Sequence, residues 1–576
     1  MALRLNGAQA LVRLLLAEDV RQVYGVVGGK LGPLLQAIAQ HPRLGFLGLR
    51  HEAAGPMMAA ACHAATGRMA VALAEMGPGG LNLASGLGVA WANHLPLLAL
   101  TTNQNRAACY PHSGMFMDLD TVAVTRPVTK WNAVVHDARR LPELVRRAFR
   151  EALSGRPGPV HLDIPNDVLT QDCEFAHDEF ELSPERYRAS GRMRPDAGGV
   201  AQALALLREA RRPLVVAGGG VVASGAGEAL REIARRLRAP VVPTQMALGV
   251  VPSDSPHFIG HGGLIAGQPV RSAFEEADVI LAVGCRWSSW MWDEQGPFAR
   301  RSHRTIAINL DPSALGHPAV HEVGLQADAR AALADLLAGW DEGVGAGVDA
   351  GWLLGARAGR MAYEARLSAL ADEGDDGEAM HPAALARAIA RALPADALAV
   401  YDGGHTSFWS NDFTPVRAER TRLHEPGMSH LGFGTPYALA LQQLNPERPV
   451  VQITGDGSFG FTLAELDTAR RYKLPVLTVV HNNQAWGIIR QGQKAALDFE
   501  LGTALEDTDY AAIARGFGCH GERLTQVAQV APAIARALAS GLPAVLDCRT
   551  RFVPHPAMPM FGRMNRFGFD ALTRLP

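Results

Sequence analysis

The 576-residue chain has no surplus of either charge: 55 Lys and Arg stand against 57 Asp and Glu, a formal net charge of -2. The basic field of a nucleic-acid binder is missing, so no nucleic-acid partner is expected. There is no C-x-x-C pair. The six cysteines, Cys62, Cys109, Cys173, Cys285, Cys519 and Cys548, are scattered. A chain this long does not depend on disulfide staples, so they read as reduced, mostly buried thiols of a cytoplasmic protein. No run of 18 residues is both strongly apolar and uncharged, so no membrane span is expected. The opening MALRLNGAQALVRLLLAEDV has helical periodicity broken by Arg4, Arg13, Glu18 and Asp19, and lacks the apolar centre of a signal peptide. A full G-x-G-x-x-G with its following helix and acidic residue is also absent; Gly218-Gly219-Gly220 falls short of it.

What is there describes a globular enzyme-sized protein. Hydrophobic residues make 48% and charged residues 19%, and the length suits about three to five domains. Glycine, 60 residues, exceeds the usual ~7% and calls for turns and close backbone approaches. Three regions alternate helical patterns with short apolar runs, the signature of parallel α/β sheets. The first spans residues 1–172, the second 196–340 and the third 381–555. Residues 173–195 are charged, lack a period and read as a linker; 341–380 read as a second linker around one helix. The expected fold is therefore three parallel-sheet α/β domains. Trp287, Trp290 and Trp292 crowd the end of one central-region strand, where interface packing is the plainer reading and a pocket lining the sharper one. The tail from 554 on, rich in Pro, Met and Phe, has no period.

The sharpest chemical signal lies in the third region. Gly455-Asp456-Gly457-Ser458 ends one apolar strand, and Asn482-Asn483 ends the next. One strand–helix–strand crossover separates them, with an amphipathic helix expected over 462–473. Both polar ends then share the carboxyl edge of a parallel sheet, where open α/β sheets bind ligands. Asp456 and Asn483 offer hard oxygen ligands, a nearby backbone carbonyl a third, and Mg²⁺ completes its shell with phosphate oxygens and water. Gly455 and Gly457 admit phosphates, and the amides of Gly457 and Ser458 open a helix whose dipole favours anions.

GDGSF, ELDTARR and NN in this order resemble the diphosphate-binding signature of thiamin-diphosphate enzymes, in the acetolactate synthase and 2-oxoacid decarboxylase branch. VYGVVGG (23–29, with Gly28), RHEAAG (50–55), GPGGLN (77–82) and GPVHLDIPND (158–167) resemble the pyrimidine-binding domain. YDGG (401–404) and GMSHLGFG (427–434) resemble parts of the diphosphate-binding domain; the middle region resembles the central domain. The resemblance implies thiamin diphosphate and Mg²⁺ as cofactors. It implies that Glu52 holds the pyrimidine ring nitrogen and so activates the coenzyme. Glu52 precedes a nearly all-apolar helix, which would partly desolvate it. The resemblance further places Gly28, Gly77 and Asn82 near the pyrimidine, Leu431 as the apolar wedge beneath the coenzyme, and Gly404 and His405 at its diphosphate; Trp486, directly after the metal-binding turn, reads either as packing over the coenzyme or walling its pocket, or as plain core packing. Asp456, Asn483 and the carbonyl of Ala485 become the metal ligands.

The implied reaction is decarboxylation of a 2-oxoacid, after which the enamine is protonated or attacks a second carbonyl, within a homodimer or dimer of dimers. Met117 stands where acetolactate synthases carry Gln, His430 where a small residue is usual, and His405-Thr406 where Gln-His is usual. These departures suit a different acceptor or a bulkier 2-oxoacid. Of His51, His112, His405 and His430, His112 and His430 rank first for proton transfer, because both fall in segments bordering the coenzyme. Alternative readings are a 2-hydroxyacyl-CoA lyase or oxalyl-CoA decarboxylase-like enzyme, a simple decarboxylase, a flavin-linked oxidase and a non-catalytic relative. FAD, which some relatives bind in the central domain, is not predicted.

Overall fold

The computed structural model describes residues 2–109, 112–263, 265–288, 291, 303–316 and 320–556. Trp290, Trp292 and the tail beyond 556 lie outside them. The chain divides into two compact units. The first comprises Met1–Gly191, Gly427–Arg448 and Thr462–Val476; the second comprises Arg192–Pro426, Pro449–Phe461 and the chain from Leu477 on.

In the first unit, strands β1 (Ala2–Asn6) and β8 (Asp172–Ala176) pair antiparallel, Ala2 opposite Ala176. This corrects the linker expected from residue 173. Cys173 and Phe175 alternate inward with charged neighbours outward, a period of two that is too short to read in isolation. Between them lies a parallel sheet of β2 (Gln22–Gly25), β3 (Gly45–Gly48), β4 (Val71–Ala74), β5 (Leu98–Asn103), β6 (Trp131–Val134) and β7 (Val160–Pro165), in the order β3-β2-β4-β5-β7-β6. Strands such as β4 and β5 are buried throughout, as a sheet covered on both faces requires. Helix Gly7–Ala17 starts with a capping box, Gln9 N–H donating to Asn6 Oδ1 (2.9 Å) and Asn6 N–H to Gln9 Oε1 (3.0 Å). It packs against helix Leu141–Leu153, while helices Ala54–Thr66 and Pro78–Asn93 pack together with Gly434–Leu444 on the first of them.

The second unit holds two parallel sheets. One is β9 (Pro213–Ala217), β10 (Val241–Pro243), β11 (Val279–Val283), β12 (Arg304–Asn309) and β13 (Val323–Gln326), ordered β10-β9-β11-β12-β13. The other is β14 (Leu398–Tyr401), β15 (Arg422–Leu423), β16 (Val450–Gly455), β17 (Leu477–Asn482), β18 (His520–Leu524) and β19 (Ala544–Arg549), ordered β15-β14-β16-β17-β19-β18. Counted from its own first strand, each sheet begins 2-1-3-4, so the winding reverses between strands 1 and 3. Gly455 stands opposite His481, which brings the residues after β16 and β17 to one edge. The helix expected over 462–473 is shorter, Glu465–Arg471, and a separate helix, Asp456–Thr462, precedes it. No helix among the described residues is long and apolar enough to cross a membrane, and all six cysteines are buried and free.

Candidate active site

The edge of the β14–β19 sheet at the winding reversal gathers one cluster. Gly403 follows β14 with φ +87°, a conformation that favours glycine. A methyl there would fall 3.1 Å from Ser458 Oγ and 3.3 Å from Gly455 N. A methyl on Gly455 would meet Thr406 Oγ1 at 3.3 Å, one on Gly404 would strike Ile488, and one on Gly457 would lie 2.6 Å from the Trp486 ring. The glycines thus keep the floor of the cluster low, as close approach of a phosphate demands. A methyl on Gly487 would lie 3.0 Å from His405 Nδ1 and 3.2 Å from Asn483 Nδ2, so His405 and Asn483 converge on one spot.

Asp456 lies in the floor, 3% exposed. Its Oδ1 accepts from Gly457 N at 3.0 Å, but its buried Oδ2 has no partner. Burial pushes its carboxyl up to about 6, against the pull of the backbone amides of Gly457, Gln484 and Ala485. An orphaned buried carboxylate oxygen costs roughly 1–3 kcal/mol or more, and a cation would offset that cost. Asn483 Oδ1 accepts from Ala485 N at 3.1 Å, and Trp486 N donates to Thr503 O at 2.9 Å, which fixes the turn carrying the Ala485 carbonyl. No group of three His, Cys, Asp or Glu side chains that could hold a metal occurs among the described residues. One carboxylate, one amide and one carbonyl instead suit a hard cation that takes phosphate oxygens and water for its remaining ligands. His405, the first residue of helix His405–Phe413, is 8% exposed and both its ring nitrogens lack partners. Burial, reinforced by His555, drives its pKa down to about 4. It is therefore neutral at pH 7 and offers a hydrogen bond rather than a charge.

A second cluster lies in the first unit. Glu52, half-buried, sits just before helix Ala54–Thr66. Asn82 Nδ2 donates to Glu52 Oε2 at 3.0 Å, so two residues singled out separately in the sequence form one pair. A methyl on Gly79 would lie 3.4 Å from Glu52 Oε1, and one on Gly77, whose φ is +62°, would strike the Met117 backbone. A methyl on Gly28 would fall 2.2 Å from Glu75 Oε2. Glu75 was not foreseen. It ends β4 at the winding reversal and accepts from Lys30 N (2.8 Å), Thr102 Oγ1 (2.8 Å) and Met76 N (3.2 Å). A carboxylate at the carboxyl end of a parallel strand was the signal that could have found it.

The remaining expected residues are held as follows. His112 pairs through Nδ1 with Asp118, which also accepts from Ser113 N and Gly114 N. His430 Nδ1 donates to the Leu431 carbonyl (2.8 Å), leaving Nε2 to accept from Ser85 Oγ (2.7 Å). Leu431, half-buried, lies in a segment pinned at Gly427 N, which donates to Asn93 Oδ1 at 3.1 Å. The structure groups this segment and Glu465 with the first unit. Glu465, the first residue of ELDTARR, is buried, and its carboxyl is pushed up by that burial. In the central sheet the winding reversal is closed by backbone: a methyl on Gly218 would fall 2.1 Å from Gly284 O, and Gly220 N donates to Gly284 O at 3.1 Å.

A glycine floor beside a buried Asp with one unpartnered oxygen, together with a Glu–Asn pair, suits an enzyme that binds a diphosphate coenzyme. Comparison with known proteins bears this out, and the chain belongs to the thiamine pyrophosphate enzyme family. Residues 5–124 match the N-terminal TPP binding domain of that family, 200–336 its central domain and 402–548 its C-terminal TPP binding domain. Within the family it falls in the acetolactate synthase-like branch, among thiamin-diphosphate enzymes that form or cleave carbon–carbon bonds. It is 29% identical to the probable acetolactate synthase large subunit of Methanocaldococcus jannaschii, over 96% of this chain and 93% of the relative. Identity to the acetolactate synthase isozyme 2 large subunit of Escherichia coli K12 is 29%, over 94% and 95%. Identity to the probable 2-ketoarginine decarboxylase AruI of Pseudomonas aeruginosa is 33%, over 89% of each chain.

Proposed function

We propose that this enzyme removes CO₂ from a 2-oxoacid and joins the remaining fragment to a second carbonyl compound. The observation that carries the reading is the orphaned Asp456 oxygen in its glycine floor, which would suit a Mg²⁺ ion bound together with a diphosphate. Bound thiamin diphosphate supplies an electron sink for the carbon that loses CO₂. Asp456, Asn483 and the Ala485 carbonyl hold the cation; Gly404, His405, Gly455, Gly457, Ser458 and Trp486 seat the diphosphate. Glu52, oriented by Asn82, shares a proton with the pyrimidine ring nitrogen, near Gly28 and Gly77. Leu431 is the apolar support beneath the coenzyme. His112 and His430 handle protons on the substrate side, each already oriented by a fixed partner.

The working form proposed is a homodimer or dimer of dimers. Val27, Leu81 and Phe116 beside the Glu52 cluster and Phe461, Ile489 and Leu501 beside the Asp456 cluster are exposed apolar side chains, Phe116 at 82% and Leu501 at 76%. Apolar residues around a polar site are a surface for protein to cover, and a second copy does so. The free buried thiols suit the reducing cytoplasm. A second reading, release of an aldehyde without joining, is favoured by the identity to the probable 2-ketoarginine decarboxylase and by Met117 in place of a polar residue. Mass-spectrometric screening of 2-oxoacids, with and without carbonyl acceptors, decides between them. A joined product supports the first reading, an aldehyde alone the second, and no CO₂ from any 2-oxoacid defeats both.

A further inference from the structure

The residues that lead into Glu52 are gripped from a distant part of the chain. Glu465 Oε1 accepts from the backbone N–H groups of both Arg50 and His51, each at 3.1 Å, and its Oε2 accepts from Thr468 Oγ1 at 2.6 Å. One turn on, Arg471 Nη2 donates to Gly48 O at 2.7 Å, and Gly48 N donates to the hydroxyl of Tyr472 at 2.7 Å. Asp467 lies 2.7 Å from Arg471 Nε and 3.6 Å from Arg50 Nη1. One short helix and the residue after it therefore satisfy the backbone of Gly48, Arg50 and His51, directly ahead of Glu52. Peptide N–H groups need such partners, and a buried side-chain oxygen that accepts from two of them at once fixes the geometry of both.

We infer that helix Glu465–Arg471 with Tyr472 is a clamp that aims Glu52, and that Glu465 is a positioning residue for proton sharing with the coenzyme. The inference rests on the role proposed for Glu52. The clamp works by hydrogen-bond acceptance, so Glu465→Gln, which keeps an acceptor for both amides and can donate to Thr468, preserves it. Glu465→Leu removes it, and Tyr472→Phe removes one end.

Two measurements on the full chain test this. The first is amide hydrogen exchange of the 45–55 segment in cofactor-free protein. The second is loss of the thiazolium ring proton from protein loaded with thiamin diphosphate and Mg²⁺, with coenzyme affinity followed by calorimetry. In Glu465→Leu, exchange at residues 48–51 rises and ring-proton loss slows by about 10- to 100-fold, while affinity stays within about twofold. Glu465→Gln stays near the parent in all three, and Tyr472→Phe falls between. Unchanged exchange and ring-proton loss in Glu465→Leu overturn the inference. So do equal losses of rate and affinity, which mark a general fault. If that variant fails to fold, Tyr472→Phe decides: parent-like exchange at residue 48 overturns the clamp. Glu52→Gln separates the two claims. Should it keep the parent ring-proton rate, the reading of Glu52 fails, and the amide exchange alone judges the clamp.

Discussion

The β2–β7 sheet and the β14–β19 sheet follow the same strand order, 2-1-3-4-6-5 from their own first strands, yet they spend their winding reversal on opposite chemistry. After β2 and β4 the first presents Gly28 against Glu75, with Glu52 and Asn82 close by. After β14 and β16 the second presents glycines, the amides of a helix start and a buried carboxylate with one unpartnered oxygen. The central sheet closes the same place with Gly218 and Gly220 on Gly284. Topology selects the edge where a ligand can enter; the few residues after each strand decide whether that edge offers a carboxylate and amide, a glycine floor with a buried Asp, or a backbone closed on itself.

Substitutions can break this division of labour. Glu52→Gln is expected to lower turnover by about 10²- to 10⁴-fold with coenzyme binding and oligomeric state intact, since it removes one proton-sharing group. Steady-state rates beside sedimentation velocity check it, and near-parent activity would erase the distinction between the sheets. Asp456→Ala should weaken Mg²⁺-dependent retention of thiamin diphosphate by more than about 100-fold, beyond the cost of losing an outer-shell partner. Dialysis against chelator followed by coenzyme assay reads this directly; full retention would refute the ligand assignment. Gly457→Ala pushes a methyl to 2.6 Å from the Trp486 ring. The strain should weaken coenzyme binding by about tenfold, visible by calorimetry. Gly218→Ala should do the reverse: a loss of about 1–3 kcal/mol of stability from collision with the Gly284 backbone, with coenzyme affinity unchanged. Thermal unfolding and calorimetry together would show whether the central reversal is only structural.

Much of the glycine-floored Asp456 cluster was legible beforehand because its parts are local. Asp456 and Asn483 lie one crossover apart, and strand ends are marked by glycine and asparagine. Glu52 was singled out through its motif, but its bond to Asn82 was not, because Glu52 precedes one helix, Asn82 lies on the next, and the two meet only after those helices pack. Glu75 escaped notice because one carboxylate beside GPG has no period or spacing to mark it. The strand Asp172–Ala176 hid in a charged stretch, its alternation meaningful only beside β1. The late start of the helix at Glu465 was equally hidden, since the amphipathic pattern begins before it.

Residue order alone determined the three parallel α/β blocks and the one-crossover spacing of Asp456 and Asn483, for hydrophobic periodicity and crossover length act over a few tens of residues. Tertiary structure decided the shared winding of the two six-stranded sheets, the closed central reversal and the grip of Glu465 on His51 across 414 positions. Each of these depends on which surfaces meet once the sheets have formed, and contacts between remote segments leave no local pattern in a single sequence.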